Sequence, residues 1–259
     1  MAIEVTKANG ILTLEFNRIE RKNAITSSMY QSLADAINAA QDDPEVRAIL
    51  LAGKPEAFTA GNDLEDFMKT TRANDGVAFG DRPVFQFMRA LSGSAKPVVA
   101  AVSGLAIGIG TTLLMHCDLV YAADGTKFSV PFTQLGLCPE FGSSLLMPLA
   151  GGHARAAEKL MLGEPFTAQE AYDMGIVSKV LPAADVLEHA RAQAAKLVAL
   201  PAASIRTTKR LMTASRKAQL EAIIAEESKL FFEMLQGAEA NEAFTAFFEK
   251  RKPDFTKFA

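Results

Sequence analysis

Cysteine and histidine are scarce in this chain of 259 residues, with two of the former and three of the latter. Cys117 and Cys138 form neither a metal-ligand spacing nor a disulfide framework, and the scattered histidines add no ligand pattern. No metal site is expected, and a reducing compartment, the cytoplasm, is. A basic excess is also missing. The 27 Lys and Arg against 30 Asp and Glu leave a net charge of −3, whereas proteins driven onto nucleic acid by counterion release carry a positive surplus or stripe. Nucleic acid is therefore not an expected partner.

Targeting signals are equally lacking. Met1 to Phe16 alternates polar and apolar residues around Glu4, Lys7 and Glu15, unlike a secretory h-region or an Arg-rich transit peptide. The ending Thr256-Lys257-Phe258-Ala259 is not of the Ser-Lys-Leu type. Only Pro97 to Cys117 runs long without formal charge. Its Ser103, Gly104, Gly108, Gly110, Thr111, Thr112 and His116 suit a buried strand turning into a buried helix better than a membrane span. Phosphate-binding signatures fail as well: Gly108-Ile109-Gly110 lacks a third glycine at Leu113, and no Gly-Lys-Ser/Thr ending appears.

What is present is apolar residue enough for a sizeable core, 49% against 22% charged. Leu12, Leu14 and Phe16 share one face of a predicted strand over Ile11 to Phe16. Thr26 to Ala40, Asp63 to Thr71 and Pro83 to Leu91 read as helices, and Val46 to Leu51 as a short strand. The buried strand Pro97 to Val102 leads through glycines into a helix over Thr111 to Cys117. Leu119 to Ala122 and Lys127 to Val130 are further strands. Beyond Ser143 the strand signals fade. Thr167-Ala168-Gln169-Glu170 is a capping box opening a helix that stops near Gly175, and Ile176 to Leu181 is a last short strand. Val186 to Leu200, Ala203 to Ala214, Gln219 to Gln236 and Glu239 to Lys250 are helices. The last carries Phe244, Phe247 and Phe248 on one stripe, which suits a core or subunit contact. The chain is mixed α/β over 1–195 and helical over 196–259, with no linker between.

Three segments suit chemistry. Ala57 to Leu64 and Ser103 to Thr111 each turn through glycine from a strand into a helix, where unpaired N–H groups favour negative charge. Two such starts facing one point would hold an oxyanion; either alone is equally a tight turn. The third, Pro131 to Ser144, sets one carboxylate, Glu140, among apolar residues at the entry to a helix. Burial there would raise its pKa into the range useful for proton transfer, while a first-turn Glu also serves a helix dipole. His116 and His153 stand beside no nucleophile motif, and Cys138 serves equally as a small hydrophobe.

Taken in order, these segments resemble the crotonase (enoyl-CoA hydratase/isomerase) superfamily. The resemblance runs through Asn17-Arg18, Asn23-Ala24, Ala60-Gly61-Asn62-Asp63-Leu64, Lys96 to Val102, Cys117-Asp118, Pro131, Leu135-Gly136, Leu162-Gly163 and Ala168-Gln169-Glu170-Ala171. It implies a spiral of ββα units with an α-helical C-terminal part, 196–259, that serves trimerisation. It also implies a homotrimer or dimer of trimers, and an acyl-CoA thioester held between the backbone N–H groups of Asn62 and Ile109. Hydratases of this superfamily use two glutamates; the matching positions here are Thr112 and Phe132. Leu135-Gly136-Leu137-Cys138-Pro139-Glu140 with Ser143-Ser144 instead resembles peroxisomal-type Δ3,Δ2-enoyl-CoA isomerases, in which one glutamate at this position is the base. The resemblance then implies Glu140 as a single proton shuttle, with Thr112 and Phe132 lining a dry pocket. Thr59, Ala60, Gly61, Asp63 and Leu64 would lie against the CoA end, and Lys22 would meet a phosphate. Lys250 and Arg251 are further phosphate candidates. Coenzyme A belongs to the substrate, and no separate cofactor is implied. A hydratase, another crotonase reaction or a non-catalytic acyl-CoA binder are the alternatives.

Overall fold

In a computed structural model describing residues 1–71 and 76–258, the chain opens with a hairpin. Ala259, the end of the predicted helical region, lies outside the described residues. Strands β1 (Ile3–Ala8) and β2 (Ile11–Phe16) pair antiparallel across Asn9-Gly10, both at positive φ (52° and 79°). Asn-Gly is the dipeptide that such a turn favours. Only Ile3 of β1 is buried, so the alternation of this edge strand builds no core face, and the sequence reading anticipated β2 alone.

The following elements are α1 (Ser27–Asp42), β3 (Ala48–Ala52), α2 (Leu64–Thr71), α3 (Pro83–Ser92), β4 (Val98–Val102), β5 (Leu105–Ile107) and α4 (Ile109–Thr112). Next come β6 (Leu119–Ala123), β7 (Lys127–Ser129), α5 (Ser143–Gly151), α6 (His153–Leu162), β8 (Phe166–Thr167), α7 (Ala168–Asp173) and β9 (Lys179–Leu181). Four helices finish the chain: α8 (Val186–Ala199), α9 (Ala202–Ala214), α10 (Lys217–Leu235) and α11 (Ala238–Phe248). The larger sheet runs β1-β2-β3-β4-β6-β9, parallel except for the first pair; the smaller runs β5-β7-β8.

Strand periodicity builds the core on two faces. Ile49 and Leu51 of β3 face one cluster with Leu33 and Ile37 of α1 and Phe87 and Leu91 of α3. Ala48, Leu50 and Ala52 face the other, covered by Val186, Ala190 and Ala194 of α8. Alanines at i and i+4 on α8 let it sit close against alanines of the sheet. Both faces are covered, so β3 and β4 are buried throughout, as expected of parallel strands.

Two expectations need correction. The predicted helix over Thr111 to Cys117 begins earlier, at Ile109, and gives way at Leu113 to a 3-10 turn ending at His116. The cause is tertiary: Leu105 to Ile107 pair with Lys127 to Ser129 as β5 and β7, and the Thr111 hydroxyl donates to Ala106 O at 2.5 Å. The helix α6 was not anticipated; it buries only Ala156, Lys159 and Leu160. Elsewhere the capping box forms, with Thr167 and Glu170 exchanging bonds at the start of α7. Of the aromatic stripe, Phe244 is core, whereas Phe247 and Phe248 are 58% and 48% exposed. No helix among the described residues is long and apolar enough to cross a membrane.

Gly104 lies where two backbones cross. Its φ is +72°, and a Cβ there would fall 2.0 Å from the Glu56 carbonyl oxygen. Neither the strain nor the clash has a flexible neighbour to absorb it. Gly104→Ala should cost about 3 kcal/mol or more, read as a fall in Tm of roughly 6–12 °C.

Candidate active site

The two glycine loops are locked to each other by their backbones. Thr59 N donates to Leu105 O and Ile107 N to Thr59 O, both at 3.1 Å, so the first loop continues the edge of β5. Gly61 (φ +82°) brings its Cα so near this strand that a Cβ would lie 2.5 Å from Ile107 O. At Gly110 the same test meets Thr59 O at 3.0 Å. Only residues lacking a Cβ allow this approach.

This packing decides which amides are spare. Buried Thr59 gives its hydroxyl proton to Asn23 O (2.7 Å) and accepts from Gly61 N (3.1 Å). Gly61 O accepts from Ile25 N, and Asp63 N donates to Ile25 O. The Asn62 amide between them is left over. On the second loop, Gly108 N donates to Ser129 O, while Gly108 O accepts from Thr111 N and Thr112 N. The Ile109 amide, at the first turn of α4, is left over in the same way. Among the described residues, neither amide has an acceptor within the chain. The side chain of Asn62 is occupied, its Oδ1 accepting from Tyr30 Oη at 2.5 Å.

Glu140 sits in a loop three residues before α5, rather than at the first turn of that helix. It is 7% exposed, and its Oε1 is buried without a hydrogen-bond partner. Burial first, and the nearby Glu227 charge second, push its pKa up from 4.5 to about 8. Its loop is pinned at both ends. Gly136 (φ +67°) lies so close to α11 that a Cβ would meet Ala240 N at 2.7 Å; Gly142 (φ +74°) packs under Leu220 of α10. His116, stacked on Phe141 at 3.8 Å, places Nε2 2.8 Å from Phe141 O. Burial lowers the His116 pKa to about 4, so the neutral ring donates there. The histidine is structural.

Glu140 and Asn62 line one pocket. Its apolar walls come from Ile25, Phe67, Phe85, Met88 and Phe231, and its polar groups include Tyr30, Asp66 and Arg82. Asp66 is thus a second carboxylate in the lining, tied up by Ser27 N and Ser27 Oγ on its Oδ2, each at 2.7 Å. Tyr30, Asp66, Arg82 and Phe231 were not singled out from sequence, since nothing local distinguishes them from residues that merely pack. Phe231, on α10, stands edge-on to both Phe67 and Phe132 at 6.2 and 6.4 Å.

The remaining candidates fall in three groups. Ile109, Thr112 and Phe132 are buried and do not line this pocket, although Phe132 packs on its wall residue Phe231; Thr112 Oγ1 lacks a partner among the described residues. Thr59 and Asp63 serve the loop itself: Asp63 takes Arg18 Nη1 at 2.7 Å and Asp66 N at 3.1 Å, and Leu64 packs on the core. Lys22 is exposed, and its carbonyl oxygen accepts from Ala60 N, which joins it to the loop's outer edge. Of the C-terminal basic residues, Arg251 is paired with Glu242 and Glu249.

Two interlocked glycine loops with two spare amides, and an apolar pocket lined by Asn62 and one buried acid, are the features of the site. Residues 6–257 match the family described as enoyl-CoA hydratase/isomerase, and the chain belongs to it. The crotonase fold and acyl-CoA substrates come with that membership. A probable enoyl-CoA hydratase of Mycobacterium bovis is 34% identical over 254 residues, 98% of this chain and 96% of that protein. Enoyl-CoA delta isomerase 2 of Rattus norvegicus is 37% identical over 227 residues, 87% of this chain and 58% of that protein. Among solved structures, an enoyl-CoA hydratase/isomerase from Pseudoalteromonas atlantica T6c superposes with a TM-score of 0.93 at 38% identity, covering 99% of this chain and all of that one.

Replacing Gly61 and replacing Asn62 should separate backbone from side chain. Gly61→Ala forces the first loop off β5 and should cost about 10²-fold or more in kcat, the size of one lost oxyanion donor. Asn62→Ala keeps the amide and should cost under about tenfold, through release of Tyr30. Steady-state kinetics on both variants, with melting curves to confirm folding, checks the contrast.

Proposed function

We propose that the protein is an enoyl-CoA isomerase that moves a double bond from the 3,4 to the 2,3 position of an acyl-CoA. The observation that carries this reading is Glu140: a buried carboxyl, one oxygen unpartnered, on the same pocket as Asn62. In a 3-enoyl thioester the C2 proton is flanked by a carbonyl and an alkene, so its loss gives a delocalised dienolate. Glu140 takes that proton and returns it at C4, acting first as base and then as acid. Charge gathers on the thioester oxygen, which the Asn62 and Ile109 amides receive. The resemblance to the rat isomerase supports this reading; the resemblance to named hydratases supports only the family.

Thr112 and Phe132, at the positions where hydratases carry glutamates, leave an attacking water without a carboxylate anchor. Backbone groups of Ala60 and Gly61, with Thr59, Asp63 and Leu64 shaping their loop and Lys22 at its edge, receive the CoA moiety. No cofactor beyond the substrate's own coenzyme A enters this mechanism. A cytoplasmic homotrimer or dimer of trimers, assembled through 196–259, completes the reading. Asp66 favours one alternative, since a second carboxylate in the pocket is what a hydratase would need.

The test is turnover of 3-hexenoyl-CoA. Glu140→Gln should lose on the order of 10²–10⁴-fold in kcat. Because Glu140 must be ionised to act as base, and its pKa is raised to about 8, kcat/KM should climb with pH and level off above that value. Equal rates for wild type and Glu140→Gln would overturn the proposal. Water addition to crotonyl-CoA at a matching rate, abolished by Asp66→Asn, would establish the hydratase instead.

A further inference from the structure

The loop bearing Glu140 is held by a residue from the far end of the chain. Glu227, on α10, is 6% exposed and aims both carboxylate oxygens at the start of α5. Oε2 accepts from Gly142 N at 2.5 Å; Oε1 accepts from Ser144 N at 2.9 Å and from Ser144 Oγ at 2.5 Å. The helix has no side-chain cap of its own, its N-cap being Gly142. Glu140 is separated from these bonds by a two-residue turn. Phe141 and Gly142 both stand in the left-handed region, at φ +57° and +74°. A bulky residue at positive φ persists only where its surroundings over-determine it. Here the surroundings are His116 on the Phe141 carbonyl and Glu227 on the next amides.

We propose that Glu227 is a positioning residue for Glu140: its carboxylate gathers the Gly142 and Ser144 donors, fixes the turn, and thereby aims the base into the pocket. The proposal rests on the reading of Glu140 as the base. Three donors converging on two oxygens fit an ionised carboxylate, since a protonated one would set its own O–H against them. Burial, the largest influence, raises the Glu227 pKa, and the three donors offset part of that rise. An ionised Glu227 also holds Glu140 in its protonated form to higher pH than burial alone would. The other titratable or charged groups facing the pair are Cys138 on the same loop, Glu226 on α10 and His116. Across the pocket stand Tyr30, Asp66 and Arg82. Cys138 Sγ itself reaches the Glu227 carbonyl oxygen at 3.7 Å. A helix of the C-terminal part is then a working part of the site, and not only an assembly element.

Glu227→Gln keeps the size and one acceptor but turns an NH₂ group towards a donor. On 3-hexenoyl-CoA its plateau kcat should fall about tenfold or more with KM within about threefold of wild type. The midpoint of its kcat/KM profile should move to lower pH by about one pH unit, because a like charge beside Glu140 is gone. Glu227→Asp, which keeps the charge and loses reach, should restore the midpoint but not the rate. Carboxyl ¹³C NMR titration of Glu140 in ligand-free protein, assigned with Glu140→Gln, reads the same midpoint without turnover. A midpoint that shifts by NMR in a protein that never isomerises would uphold Glu227 and sink the isomerase reading. Unmoved midpoints in both measurements, or a kcat loss that merely tracks loss of folded protein on melting, would overturn the positioning role.

Discussion

A carboxyl group kept from water with one oxygen unpartnered is the constraint on which this site depends. Burial and a neighbouring negative charge raise the Glu140 pKa from 4.5 to about 8, which disfavours its ionised form by roughly 5 kcal/mol. That cost falls on the folded state alone. The sign follows from the direction of the shift: stability is full below the unfolded value of 4.5 and declines as pH rises towards 8. A group so placed must be held by its surroundings, because its buried Oε1 has no hydrogen-bond partner among the described residues. The holding is done through the backbone: Gly136 against α11, Gly142 under α10, and the Phe141 carbonyl on His116.

The glycine-loop side of the site follows a different principle. No side chain need be aimed there, because two amides are spare only after every neighbouring donor has found an acceptor. Thr59 is central to this: its buried hydroxyl satisfies Gly61 N, and the next amide along has no acceptor among the described residues. Missing side chains do the rest, since a Cβ at Gly61 or Gly110 would push the loops apart. Such preorganised donors cost no reorganisation when charge develops, which is why they act more strongly than mobile water.

How much of this could be read from the sequence depends on the range of the interactions involved. Strands buried on both faces and helices with a clear stripe, such as β3, β4 and α1, announce themselves through periodicity. The helix boundary near Thr111 did not, because β5 forms only by pairing with β7, some twenty residues on. The glycine loops and Glu140 were legible as motifs. Tyr30, Phe231 and Glu227 were not: each reaches the pocket or its loop from a helix remote in sequence, and a glutamate on α10 looks like any solvated helix face, while Asp66, two residues past the first loop, looks like a first-turn acid of α2.

The choice between isomerisation and hydration comes down to what each reaction asks of a dry pocket. Hydration must place a water, deprotonate it and protonate C2, which calls for two groups with separate roles. Isomerisation moves one proton between C2 and C4, and a single carboxyl poised between its two forms suffices. Asp66 is present, but its Oδ2 already accepts from Ser27 N and Ser27 Oγ, bonds that tie the side chain to the start of α1. Glu140 has the opposite character, with a buried free oxygen and a raised pKa. Among the described residues two carboxylates line the pocket, and Glu140 is the one with a buried, unpartnered oxygen, the single group that a proton shuttle between C2 and C4 would require.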